Sequence, residues 1–136
     1  MKKLNWFFLV LFSFVAFACD DDDDVELDTT NPSITITSPA AGSTFGPGTV
    51  IPLRATVTDN IGLDEIRVNV TDPSGTTRQV DDQSINDFLN DNREKDLDVD
   101  IILDANAPAG AYSIAVVAID EQGNQATQSV NVSVMQ

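Results

Sequence analysis

The fold is decided at AYSIAVVAIDEQGNQATQSVNVSV, residues 111–134. Residues 111–119 are a nearly continuous apolar run of strand length, the pattern of a strand covered on both faces and set in the middle of a sheet. Asp120-Glu121-Gln122-Gly123-Asn124 is a polar turn. Residues 125–134 then alternate. Ala126, Gln128, Val130, Val132 and Val134 share one face, and Thr127, Ser129, Asn131 and Ser133 the other.

The same period-two rhythm runs upstream. Ile34 and Ile36 alternate with Ser33, Thr35 and Thr37; a loop at 39–48 has room for a short strand at 43–45. In 50–58, Ile51, Leu53, Ala55 and Val57 face one way, and Pro52 puts the start of that strand at a sheet edge. After the turn Asp59-Asn60-Ile61-Gly62, residues 63–71 point Ile66, Val68 and Val70 inward and Glu65, Arg67 and Asn69 outward. Asp72-Pro73-Ser74-Gly75 is a tight turn, and 76–80 completes a hairpin. Leu97, Val99, Ile101 and Leu103 form another inward face, against Asp96, Asp98 and Asp100. Those three acids require water, and they discourage pairing with a second chain.

Residues 81–96 break the rhythm. There Ser84 can cap a short helix whose Ile85, Phe88 and Leu89 share a side. The segment reads as a crossover on the sandwich edge, with an exposed recognition loop as the alternative. About seven strands over roughly 100 residues predict an all-β, immunoglobulin-like or fibronectin type III-like sandwich. The single cysteine excludes the disulfide of an antibody-type domain. Tyr112, just after the turn Pro108-Ala109-Gly110, stands where a tyrosine corner would stand.

The first 18 residues are of another kind. Lys2 and Lys3 precede the apolar run WFFLVLFSFVAF (6–17), and Ala16 and Ala18 supply small residues before Cys19. This is the layout of a secretory leader, and the run is short for the roughly 20 residues of a permanent span. The lone Cys19 after such a run resembles the lipidated cysteine of bacterial lipoproteins. The resemblance implies cleavage before Cys19, acylation of its thiol and residence at the outer membrane. Asp20, Asp21, Asp22, Asp23 and Asp24 resemble the surface-export signals of Bacteroidota lipoproteins, whereas an Asp directly after the cysteine resembles, in enterobacteria, an inner-membrane retention signal. By themselves they read as a solvated spacer. The chain thus divides into a leader (1–18), an acidic disordered tether (19–32) and a β-domain (33–136).

The charge is −15, from 22 acids and 7 bases, and becomes −17 once Lys2 and Lys3 leave with the leader. Nucleic acid and anionic lipid headgroups are therefore poor partners. The chain has no histidine, and its thiol is assigned to the anchor. Ser-His and Cys-His nucleophilic chemistry cannot be assembled.

Ile34-Thr35-Ile36-Thr37-Ser38-Pro39, Val57-Thr58-Asp59-Asn60-Ile61-Gly62-Leu63 and Ala118-Ile119-Asp120-Glu121-Gln122-Gly123-Asn124 resemble a bacterial Ig-like domain. More narrowly they resemble small Bacteroidota lipoproteins grouped as a domain of unknown function. In such a sandwich the 59–62 and 120–124 turns lie at one end. Asp59, Asn60, Asp64, Asp120, Glu121 and Asn124 then offer oxygens of the kind calcium takes. The competing reading of these residues is ordinary Asx turns beside Gly62 and Gly123. The sequence accordingly points to a lipid-anchored envelope module without catalytic activity or cofactor, binding a protein or glycan. The alternatives are a calcium-dependent adhesion module and, more remotely, a carboxylate-based glycan-active enzyme.

Overall fold

Alternation becomes burial wherever two sheets face each other. A computed structural model describes residues 27–87, 89 and 92–136. The leader, Cys19, the run from Asp20 to Asp24 and Phe88 lie outside the described residues. Eight strands follow in order: β1 (Ser33–Ser38), β2 (Thr44–Phe45), β3 (Val50–Thr58), β4 (Leu63–Thr71), β5 (Thr77–Gln79), β6 (Glu94–Ile102), β7 (Gly110–Asp120) and β8 (Gln125–Val134). They form two layers, a three-stranded sheet β1-β3-β6 and a five-stranded sheet β2-β8-β7-β4-β5. The architecture is the expected all-β sandwich, and β7 does lie in the middle of its sheet. Among the described residues no helix is long and apolar enough to cross a membrane.

The core is built from the predicted inward faces. Ile51, Leu53 and Val57 of β3, Ile66 and Val68 of β4, and Ile114, Val116 and Ala118 of β7 are fully enclosed, with Val99, Ile101 and Val132 within 1% of it. Each such Val or Ile contributes about 1.5–3 kcal/mol on leaving water. Leu63 and Ile66 are both buried although three residues apart. A bulge between Leu63 and Glu65 absorbs the extra residue.

Pro52 is explained locally. β3 is the central strand of its sheet, but β1 pairs only as far as Ser38↔Arg54. Beyond that point β3 has β6 on one side alone, and a missing N–H breaks no ladder. The Ser38 hydroxyl donates to the Pro52 carbonyl at 2.8 Å on the open side. Strand β6 begins at Glu94, three residues before the apolar alternation, because Thr56, Val57 and Thr58 of β3 pair with 94–96.

Two expectations are corrected. The 81–96 segment holds a short 3-10 turn, Gln83–Ile85, capped by Asp82 and not by Ser84. Asp82 sits two positions nearer β5, and its carboxylate accepts from both the Ser84 N–H and hydroxyl; Ile85 and Leu89, expected to share a side, are both buried. The tether expected to run free to Pro32 does not: Asp28 is 7% exposed, and its carbonyl accepts from Asn124 Nδ2 at 2.9 Å. The chain must reach the start of β1 beside the β7–β8 turn, and a hydrogen bond there replaces water.

Tyr112 is 5% exposed and donates to the Pro108 carbonyl at 3.1 Å, which makes the tyrosine corner. Tyr112→Phe keeps the ring and deletes this bond. Its expected cost is about 0.5–1.5 kcal/mol, read as a lower urea midpoint with an unchanged slope.

Candidate functional site

The sandwich offers two ends with different chemistry. Strand β7 separates them by about 35 Å, at about 3.4 Å per residue.

At the end where β1 starts, the β3–β4 and β7–β8 turns meet the segment before β1. Asp59 Oδ2 accepts from the Ile61 and Gly62 N–H groups, both at 2.9 Å. Asp120, 2% exposed, accepts through Oδ1 from the Gln122 N–H at 2.9 Å and the Asn124 N–H at 2.7 Å, and through Oδ2 from Asn124 Nδ2 at 2.7 Å. Both are the Asx turns that the sequence suggested. The third carboxylate is Asp28, whose Oδ1 accepts from the Thr30 N–H at 2.9 Å. That bond, with the neighbouring Asn60 and Thr30 side chains, holds the Asp28 carboxyl below its ordinary range against the opposing effect of burial. One carboxylate oxygen from each of Asp28, Asp59 and Asp120 lies within 4.8 Å of the other two. Asp28 Oδ2 and Asp59 Oδ1 are enclosed and have no hydrogen-bond partner.

Of the six oxygen-bearing residues expected here, Asp59 and Asp120 come together, and Asn124 braces Asp120 and Asp28. Asn60 is exposed beside Asp28. Asp64 and Glu121 are outside the group. Asp64 is turned to solvent at the β4 bulge, and the Glu121 carboxylate lies along Gly62, where an added Cβ would stand 2.8 Å from Oε1. Asp28 was missed because it reads as part of the acidic spacer. Its only local signal is Thr30 two residues on, the spacing of an Asx turn.

At the other end, the β4–β5 turn and the 103–109 loop frame a cleft of about 420 Å³ lined by Asp72, Arg78, Asp104, Asn106, Pro108 and Tyr112, among others. Asp72 Oδ1 accepts from the Ser74 hydroxyl at 2.6 Å and from the Ser74 and Thr76 N–H groups, and these bonds keep its carboxyl below the usual range. Burial pushes the Tyr112 phenol up, with Asp72 and Asp104 adding to it. Arg78 reaches the Ile102 carbonyl at 3.0 Å. Beside the cleft, Val50 and Ile102 face each other across the β3–β6 ladder and are 43% and 70% exposed. The cleft therefore offers a cation, hydrogen-bonding amides and acids, and a small apolar rim.

A family model described as "Domain of unknown function (DUF4625)" matches residues 17–135. No curated protein matches the sequence. Among solved structures, the chain is similar to the fibronectin(III)-like modules of CbhA from Clostridium thermocellum, at 23% identity and a TM-score of 0.47, over 75% of this chain and 94% of that one. It is also similar to a Niemann-Pick type C2 protein from the Japanese carpenter ant, at 12% identity and a TM-score of 0.51, over 76% and 89% of the two chains. At 12% identity the second likeness concerns the fold alone.

Proposed function

The chain belongs to the DUF4625 family, and from that premise we propose a non-catalytic binding module of the cell envelope, acylated at Cys19 and held at the outer membrane facing outward. The reading rests on polarity: the segment coming from Cys19 enters at the Asp28 end, and the cleft with its apolar rim lies at the opposite end. A molecule tethered at Cys19 would present Arg78, Asn106 and the Val50–Ile102 pair away from the lipid, toward a protein or glycan. The absence of histidine from the whole chain supports a binding role over a catalytic one.

Cells expressing the full chain and fed an alkyne-tagged palmitate test the anchor. The wild type will carry the tag and fractionate with the outer membrane, and Cys19→Ser will lose both. An untagged wild type that retains its leader overturns the reading. A photoreactive residue placed at Asn106 on those cells tests the binding end. A discrete adduct that is lost with Arg78→Glu is expected; no adduct from the wild type would remove this cleft from the account.

A further inference from the structure

We infer that Asp28, Asp59 and Asp120 form a calcium site which latches the segment preceding β1 onto the two turns at that end of the sandwich. This stands on the domain alone and goes beyond the anchoring proposal.

Two oxygens at this end stand out. A buried carboxylate oxygen without a donor is a costly group, and here there are two, Asp28 Oδ2 and Asp59 Oδ1, on acids whose ligand oxygens converge to within 4.8 Å. The sister oxygens, Asp28 Oδ1 and Asp59 Oδ2, are already committed to backbone N–H groups. Those bonds fix each carboxylate in place and leave Asp28 Oδ2 and Asp59 Oδ1 without a partner.

Charge points the same way. The ion pairs among the described residues are Arg54 with Asp98 and Asp100, and Arg67 with Glu65, all elsewhere. Arg93, which approaches this end, donates through Nε to the Ile61 carbonyl at 3.2 Å. Three converging acids thus lack a protein cation, and a bound one would relieve both their repulsion and their missing contacts.

The donor set selects the ion. It is all oxygen, with no histidine anywhere in the chain and no thiol among the described residues, which disfavours zinc and copper. Calcium takes six to eight oxygens at about 2.3–2.6 Å in irregular geometry, so two of its ligands stand at most about 5 Å apart. The observed separation fits that limit. Donors drawn from three separate segments suit calcium better than the strict octahedron of magnesium, with carbonyls, Asn60 and water available to complete the shell.

The full chain in detergent, stripped with EDTA, is titrated with CaCl₂ in a calorimeter. Saturable binding of about one ion per chain is expected below millimolar concentration, with the melting temperature rising by about 5 °C at saturation. Asp28→Asn, nearly isosteric and outside the strands, should weaken binding at least tenfold while the metal-free melt is retained. Asp98→Asn, on the exposed face of β6, should bind like the wild type. Calcium should also slow proteolytic cleavage between Leu27 and Pro32 in the wild type but not in Asp28→Asn. No saturable binding up to 10 mM CaCl₂, equal affinity in Asp28→Asn, or binding of MgCl₂ in place of CaCl₂ would each overturn the assignment. None of these readouts depends on Cys19 or on the distal cleft.

Discussion

Ile114→Ala lowers the free energy of unfolding by about 2–5 kcal/mol, the range for deleting a large aliphatic side chain from a packed interior. Ile114 is fully enclosed on β7, the middle strand of the five-stranded sheet, with Val130 of β8 and Val70 of β4 as its ladder neighbours. Both flanking strands are held by long antiparallel ladders, so neither can collapse inward to fill the void, and the loss belongs in the upper half of the range. Against a typical total of about 5–15 kcal/mol, this one change removes a large part of the stability. Urea unfolding followed by circular dichroism measures it. A cost under 1 kcal/mol would mean that the two layers are less closely fitted than these burials indicate.

Gly110→Ala is the second large effect, and its origin is steric. Gly110 opens β7 at φ +141, a backbone region that side chains rarely adopt. A Cβ there would stand 2.8 Å from Pro73 Cγ and 2.9 Å from Pro73 Cβ. A proline ring cannot swing aside, so the turn that holds it must shift. Backbone strain of about 1–3 kcal/mol and overpacking of similar size together give an expected loss of about 2–6 kcal/mol. A double-mutant cycle separates the two: Pro73→Gly should recover the overpacking part and leave the strain. If the cycle shows no coupling, the contact with Pro73 is not the cause.

The β-architecture was legible because each core strand carries its own alternation. Leu97, Val99 and Ile101 need no distant information to declare a face, and the continuous run in 111–119 announces a strand covered on both sides. What stayed hidden depended on pairing between remote residues. Polar Glu94 and Lys95 belong to β6 only because Thr58 and Val57 sit opposite them. Ser84 has the chemistry of a cap, but the turn starts two residues earlier, at Asp82. Two of the three acids at that end could be read from the sequence, since Asp59 and Asp120 occupy turns that any sandwich of this kind brings together. Asp28 could not, because its neighbour Asn124 lies 96 residues away and the acids before it resemble a spacer.

The parallel pairing of β2 with β8 has a mechanical consequence. Strand β1 starts at the Asp28 end and β8 finishes at the cleft end, so tension applied between those points runs along the length of the sandwich. Three bonds lie across that load, Gly42 N–H to Asn131 O, Ser133 N–H to Ser43 O and Met135 N–H to Phe45 O, at 2.8, 2.9 and 3.0 Å. Because β2 and β8 run the same way, a pull strains all three in shear at once, where an antiparallel pair would open like a zipper. A stretching force is therefore carried by β1 on β3 and then by a clasp over residues 42–45, and the rate at which these slip sets how long the domain endures under load.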